Sequence, residues 1–374
     1  MSRTTPRLID IAHKAELSVT SISRILAGQR LSEYSQTTQD RVRKIAEELG
    51  WRPNLVVQGM KTGKTNTFGV FIAPYDTYWT GVLYGIHDTL LDAKQVPLVL
   101  WPHALVHPTI EPDVTEVKLN GQGSGGAASS SSSVPPGASG LMDGSGASRR
   151  ELDRINCLED RRVDAIISWP LHEGNARDRL AMLSTRGLPV VTIDDMLPEP
   201  AKSIYVGTDE DVTMTMIREH LESLGHRRVI YIGIKRDHTW ARRRKDAFFK
   251  AWPECDPRCA IDLDTDDDRC HAQVKDFVRS QPEATAVVAA SDHVARQITR
   301  ALEPLGKRVP DDLAIVGYGN DVFGKGDVPL TTIDQRPYEV GQAAARLALK
   351  SKKPHKRSFL IKTRLLVRES TRSA

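Results

Sequence analysis

Apolar positions follow two rhythms along this chain. Near the N-terminus they recur at helical spacing, and further on short apolar runs alternate with longer amphipathic stretches. In residues 8–28, LIDIAHKAELSVTSISRILAG, Ile9, Ala12 and Ala15 predict one buried face. Glu16-Leu17-Ser18 interrupts it, and Ile22, Ile25 and Leu26 predict a second. Ser18 suits the N-cap of the second helix, because its hydroxyl can accept from the free N–H groups that open a helix. Gly28 tolerates the left-handed backbone that ends one. A third helix is expected after Ser35, with Val42, Ile45, Ala46 and Leu49 as its stripe and Gly50 as its stop.

From position 68 the pattern changes to alternating strand and helix. Strands are expected at 68–72, 96–101, 165–168 and 189–193, with helices at 79–94, at 150–161 and through Leu180 and Leu183. A second set follows: strands at 203–206, 229–233, 286–289 and 313–316, with helices at 211–224, 240–250 and 292–305. Such alternation implies parallel sheets covered by helices, here as two similar lobes with a cleft between them. Ligands in such folds collect outside the carboxyl ends of the strands.

The residues at those ends can be read directly. They are Asp76, Tyr78 and Trp79 after the first strand, Trp169, and the pair Asp194-Asp195. In the second lobe they are Arg244 early in a helix, Ser291-Asp292, and Gly319-Asn320-Asp321. Aromatic faces among carboxylates, amides and an arginine suit a polyhydroxylated ligand. Taken singly, Asp209 and Asp292 fit helix N-caps equally well. The expectation rests on convergence at one edge.

The helical head presents Val19, Thr20, Ser23 and Arg24 on the side away from its apolar stripe. Arg24 is the one long cation there, able to pair with guanine O6 and N7. A three-helix packing unit with a solvated face is the plainer reading. Charge favours a polyanionic partner: residues 1–66 hold 11 Lys and Arg against 6 Asp and Glu, a net +5, while the whole chain is +4. The positive excess therefore lies on the head, as phosphate contact requires.

These motifs arrive in a specific order. IDIAHKAELSVTSISRIL followed by SQTTQDRVRKIAEELGWRPN resembles the head of the lactose/galactose repressor family of bacterial transcription regulators. The resemblance covers nearly the whole chain except residues 119–148. It implies a fold: an all-α helix-turn-helix head with a hinge helix, joined to a two-lobed α/β periplasmic-binding-protein-like domain with parallel sheets. It also implies that Val19, Thr20 and Arg24 read bases, and that Ser18, Ser21 and Ser35 contact phosphates. Glu16 departs from the family, which usually has Gly in the turn.

Trp51-Arg52-Pro53-Asn54 ends the head, and Asn54 can cap a short helix over 55–61. In similar proteins this hinge enters the minor groove and wedges an apolar side chain between base pairs, and Met60 stands at that position. Val56, Val57 and Gly59 make it a poor helix by itself, so folding on DNA is expected. An ordinary linker is the alternative. By resemblance, Arg244 in TWARRRKDAFF is the effector-pocket arginine and Asp292 in AASDHVA matches an Asn-Asp pair, with Ser291 in place of Asn. VGYGND carries Gly319 where a hydroxyl-binding Asp is usual, leaving Asn320 or Asp321 to take over.

The expected domains are 1–53 for the head and 54–65 for hinge and linker. A first lobe would span 66–197 plus about 334–352, and a second lobe 198–333 plus about 355–370. Residues 119–148 are Ser/Gly-rich with almost no charge, which predicts a disordered surface excursion within the first lobe.

Composition narrows the function class. With 27% charged residues and a mean hydropathy of −0.37, the chain reads as soluble, without a membrane span or signal peptide. It is expected in the cytoplasm with the nucleoid. Cys157, Cys255, Cys259 and Cys270 are then expected as free thiols. Cys255-x3-Cys259 before Cys270-His271 matches no common zinc spacing. The Asp262, Asp264, Asp266 run fails as a calcium loop at Asp267 and Gln273. No metal or cofactor is expected. No phosphate loop or nucleophile elbow points to an enzyme. The reading is a ligand-controlled repressor, binding near-palindromic double-stranded DNA as a homodimer, with a carbohydrate effector. The alternative is a solute receptor of the transport type, which the basic head disfavours.

Overall fold

A computed structural model describes residues 6–53, 59, 63–74, 76–101, 144–169, 175–235, 238–264, 268–321 and 328–371. The chain divides into two compact units, Met1–Thr65 and Asn66–Ala374.

The first unit is the head. It holds α1 (Leu8–Ala15), α2 (Val19–Leu26), a short 3-10 turn (Leu31–Glu33) and α3 (Gln36–Glu48). Ile11, Ala12, Ala15, Ile22, Ile25, Val42 and Ala46 form its core. Ile9, expected on the buried face, is 47% exposed, and Ile11 takes its place. At about 100° per residue, Ile9 lies about 110° round the helix from the middle of Leu8, Ile11, Ala12 and Ala15.

The second unit contains both lobes. Its first stretch runs β1 (Thr67–Phe71), α4 (Thr77–Asp92), β2 (Val96–Leu100), α5 (Gly144–Asp160), β3 (Ala165–Ser168), α6 (Asn175–Thr185), β4 (Val190–Ile193) and β5 (Ile204–Thr208). Next come α7 (Glu210–Ser223), β6 (Val229–Ile234), α8 (Thr239–Ala251), β7 (Ala260–Leu263), α9 (His271–Ser280), β8 (Ala286–Ala289), α10 (Asp292–Leu302), β9 (Ala314–Val316) and β10 (Thr332–Asp334). Finally α11 (Pro337–Lys350), β11 (Arg357–Ile361) and β12 (Arg364–Leu366) close the fold.

The first lobe is a parallel six-stranded sheet, β11-β5-β4-β3-β1-β2. The second is a parallel four-stranded sheet, β7-β6-β8-β9. An antiparallel β10-β12 pair completes the set. Both large sheets bury both faces, which is why their strands read as continuous apolar runs. In the first lobe Val70, Ile167, Val191 and Val206 face α4 and α11, while Phe71, Ile166 and Val190 face α5 and α6. In the second, Ile230, Ile232, Val287 and Ile315 face α9 and α10, and Val229, Tyr231, Val288 and Val316 face α7 and α8. Helices α4 and α11 meet backbone to backbone: a Cβ on Gly85 would lie 2.0 Å from the Tyr338 carbonyl oxygen, and one on Gly341 would lie 2.1 Å from that of Val82.

Three expectations differ from this arrangement. Residues 204–208 and 357–361, placed in the second lobe from sequence order, belong to the first sheet as β5 and β11. The register explains it: Val191, Thr192 and Ile193 pair with Ile204, Tyr205 and Val206, so β5 extends the sheet begun by β4. After β11, β12 pairs with β10 against the second lobe. The helix expected at 150–161 begins instead at Gly144, inside the segment assigned to the disordered excursion. Once a helix is nucleated, each added residue gains a backbone bond, so small residues preceding it can be drawn in. The rest of that excursion, up to residue 143, lies outside the described residues. The unit β7–α9 was missed altogether, because β7 is a four-residue edge strand, AIDL, with a single fully buried position.

Candidate functional site

Helix α2 starts at a true cap. Ser18 Oγ accepts from Ser21 N at 3.0 Å and meets Ser21 Oγ at 2.9 Å. The turn before it is left-handed at Glu16, with φ 54° and ψ 40°. Leu17 N donates to Ala12 O at 3.1 Å, the long bond of a glycine-type helix ending made here without glycine. Glu16 therefore keeps the turn in which the family usually has Gly.

With Ile22 and Ile25 packed inward, Val19 and Thr20 are exposed at the N-terminal end of α2. Arg24 is half-buried rather than free: its Nη1 lies 3.4 Å from Glu33 Oε2, and Arg30 Nη1 lies 3.3 Å from Glu33 Oε1. Sequence reading missed Glu33, although Arg30-x2-Glu33 was a usable signal. Ser35 caps α3, accepting from Thr38 N at 3.2 Å. The expected DNA contacts Ser18, Val19, Thr20, Ser21 and Arg24 thus share one helix, with Ser35 opening the next. Helix N-termini present free N–H groups suited to phosphate. Asn54 and Met60 lie outside the described residues.

In the second unit the expected effector residues line the seam between the lobes. Asp76 caps α4, accepting from Trp79 N at 2.9 Å. Trp79 stacks on Trp169 with centroids 4.2 Å apart and planes at 22°. The ring series continues across to His238 at 6.0 Å and on to Trp240 at 6.2 Å. Tyr78 Oη donates to Asp194 Oδ2 at 2.6 Å. Burial pushes the Asp194 carboxyl up to about 7, against the opposing pull of Tyr78 and Arg244. At neutral pH this group can therefore either donate or accept.

Arg244 is placed at the seam but already occupied. Its Nε and Nη2 reach Glu210 Oε2 and Oε1 at 3.2 and 3.0 Å, and Nη1 donates to Ala290 O at 2.5 Å. Its guanidinium lies 3.3 Å from the Tyr318 ring centroid. Tyr318 Oη and Thr208 Oγ1 donate to the same carboxylate at 3.0 and 2.8 Å. The sequence reading missed Glu210, Tyr318 and Thr208. Nothing in the spacing of distant positions signals a partner 34 residues away.

Asp292 is not a cap. Ser291 caps α10, accepting from Val294 N at 3.1 Å. Asp292 is fully buried instead, accepting from Thr332 Oγ1 at 2.6 Å and Asp321 N at 2.8 Å. Burial raises its carboxyl above the usual range. Asn320 takes a left-handed backbone, φ 56°, and its Oδ1 accepts from Arg368 Nη2 at 2.7 Å. Arg296 was also missed; it pairs with Asp321 at 3.5 Å and keeps its buried Nη1 without a hydrogen-bond partner among the described residues.

Side-chain ties join the lobes directly. Thr77 Oγ1 donates to Asp321 Oδ1 at 3.0 Å. Asp195 accepts from Thr239 N at 3.0 Å, from Thr239 Oγ1 at 2.6 Å, and meets His238 Nδ1 at 2.9 Å. No group of three or more His, Cys, Asp or Glu among the described residues is placed to hold a metal ion.

Known proteins share this fold. Residues 7–54 match the model of bacterial regulatory proteins of the lacI family, and residues 218–371 match a periplasmic binding protein-like domain. The HTH-type transcriptional regulator reg1 of Streptomyces lividans is 30% identical, covering 61% of this chain and 70% of that protein. The HTH-type transcriptional repressor PurR of Photobacterium profundum is 22% identical over 97% of this chain and 98% of its own. A lac repressor dimer bound to operator and the anti-inducer ONPF superposes with a TM-score of 0.69 at 18% identity, covering 99% of this chain and 100% of that one. A complex of the transcriptional regulator CelR with cellobiose gives a TM-score of 0.60 at 21% identity, covering 98% and 100%. The helix-turn-helix head, the two-lobed body and these matches lead to one conclusion: the chain belongs to the lacI family of bacterial regulatory proteins, and it is a transcription regulator.

Proposed function

We propose that this chain binds a near-palindromic operator as a homodimer and that a small polyhydroxylated ligand, held between the lobes, sets its affinity for that operator. The observation that carries the DNA half is the exposed edge of α2, Val19 and Thr20 with Arg24 behind them, on a helix whose other side is packed into the head. A recognition helix reads base edges with its N-terminal residues, and a two-fold dimer sets the half-site spacing. Exposed Tyr84, Leu91, Val96 and Trp101 on and after α4 and β2 support a partner face on the first lobe.

For the ligand, the ring series and the Asp194 carboxyl suit sugar C–H faces and hydroxyls. Relatives named for cellobiose and ribose put carbohydrates first. Arg296, with a spare donor, is a better hydroxyl-binding guanidinium than Arg244, whose carboxylate partner is internal. In this reading the chain has no catalytic step, needs no cofactor and works in the cytoplasm beside DNA. Among the described residues no helix is long and apolar enough to cross a membrane.

The ligand test is a thermal-shift screen of the full chain against mono- and disaccharides, followed by operator titration with any sugar that shifts the melt. A stabilising sugar must change operator affinity, and operator must change sugar affinity by the same factor. A sugar that binds while operator affinity stays fixed would overturn the coupling.

A further inference from the structure

The first sheet is charged differently at its two ends. Its six strands are all parallel, so their starts lie along one edge and their carboxyl ends along the other. The five residues leading into each of β2, β3, β4, β5 and β11 together hold eight Lys and Arg against four Asp and Glu, a net +4. Yet the whole chain is +4 and residues 1–66 account for +5, so residues 67–374 together carry −1. Lys94, Arg162, Arg186 and Lys202 are exposed at the starts of β2, β3, β4 and β5, and Lys352 and Lys353 are exposed in the KKPHK loop before β11. Two of the four carboxylates are engaged locally: Glu199 pairs with Lys356, and Asp164 accepts from Asn66 N at 3.0 Å. The carboxyl ends of β1, β4 and β5 carry Asp76, Asp194, Asp195 and Asp209 instead.

Two plainer roles fit this pattern less well. Lysines on an edge strand block pairing with another sheet, but β3, β4 and β5 are interior strands with no free edge. A face that serves only solubility intersperses both signs, whereas here cations gather at one end of the sheet. That end is also where the chain enters the second unit: Asn66 is its first residue, and Asn66 O accepts from Val96 N at 2.8 Å at the start of β2. Six strands at spacings of about 4.8 Å make the edge about 24 Å wide.

We propose that this edge binds the phosphate backbone of the DNA that the head reads, as a second, sequence-independent contact. The inference rests on the DNA-binding reading above. Phosphate contacts hold a protein on the duplex without reading sequence. The head's own grip makes the second contact intramolecular, so weak charge pairs are enough. DNA carries one phosphate per about 1.7 Å of axis, so phosphate supply does not limit a face of this width.

The test titrates the full chain against a mixed-sequence duplex of about 40 base pairs, by fluorescence anisotropy, between about 50 and about 200 mM salt. One variant combines Lys202→Gln, Lys352→Gln and Lys353→Gln. Each phosphate contact contributes about 0.9 to the slope of log affinity against log salt. The wild-type slope should therefore be steeper by about 2.7, and the wild type should lose about 40-fold more affinity over that range. Arginine at the same three positions should restore the wild-type slope. A control combining Arg227→Gln, Arg228→Gln and Arg279→Gln removes equal charge from the second lobe and should leave the slope unchanged, because charges more than about 10 Å from the phosphates are screened. Equal slopes for the wild type and the lysine variant, or an equal drop in the control, would overturn the proposal. Loss of binding to phosphatidylglycerol vesicles with the DNA slope unchanged would give the edge to a lipid surface and overturn it too. A wild type that binds no duplex at all would overturn the DNA-binding reading, and this proposal with it.

Discussion

Arg24 Nη1 and Glu33 Oε2 lie 3.4 Å apart, so the guanidinium best placed to read a base is already oriented by a carboxylate. That carboxylate also engages Arg30. In the proposed reading, DNA binding exchanges this pair for a base contact beside phosphates that repel Glu33.

Replacing Glu33 by Gln removes both the competition and the repulsion. Partly exposed pairs contribute about 0.2–1 kcal/mol, so Glu33→Gln should tighten operator binding by up to about fivefold and non-operator binding as well. Fluorescence anisotropy at fixed salt reads both. Unchanged or weaker affinity would show that Glu33 does not restrain Arg24.

Glu16 occupies a left-handed turn at φ 54°. Such a backbone costs a non-glycine residue about 1 kcal/mol. Glu16→Gly should stabilise the head by a similar amount, slowing amide exchange in α1 and α2 about fivefold in the full chain. Faster exchange would mean that the Glu16 side chain supports the turn.

Asp194 gives the second unit a pH signature. Its carboxyl is raised from 3.8 to about 7 because burial disfavours the charge. The folded state then binds a proton that the unfolded state has already lost, so stability falls as pH rises from about 4 to about 7 and levels above that. Asp194→Asn keeps the Tyr78 partner without the charge. Urea unfolding at pH 5 and pH 7.5 should show the variant gaining on the wild type at the higher pH. Comparing the two chains cancels the similar contribution of Glu151, whose carboxyl burial also raises to about 7. An equal difference at both pH values would contradict the assignment.

Arg244 is a weak reporter of ligand binding taken alone. Removing it leaves Glu210, 3% exposed, as an unpaired buried charge, which costs about 3–5 kcal/mol. Arg244→Ala should therefore lower the unfolding midpoint sharply with no ligand present, and Arg244→Met with Glu210→Gln should recover much of the loss. If the single variant melts like the wild type, the buried pair is not structural and Arg244 is free for a ligand after all.

The fold was largely legible because both sheets bury both faces and so produce unbroken apolar runs. Periodicity could not say which sheet a strand joins. Residues 204–208 extend the first sheet beside β4, and residues 357–361, which come after the second-lobe strands in sequence, pair with 204–208. Strand ends point to the residues expected at the seam, but not to the contacts those residues make. Glu210, Tyr318 and Thr208 meet Arg244 only through tertiary packing, and Ser291 displaced Asp292 as the cap because its hydroxyl precedes the first helical turn. In the head, Ile9 and Ile11 exchange places because one short helix admits two adjacent apolar stripes.

In the proposed reading, α2 reads DNA through Arg24. Selection of bound duplexes from a randomised library, run in parallel with the wild type and Arg24→Ala, tests it most directly. The wild type should enrich a near-palindrome with a guanine at matching positions of each half. The variant should lose the preference at that position, by about 1–3 kcal/mol of discrimination. Enrichment of the same palindrome by Arg24→Ala, with the same base preference, would contradict it.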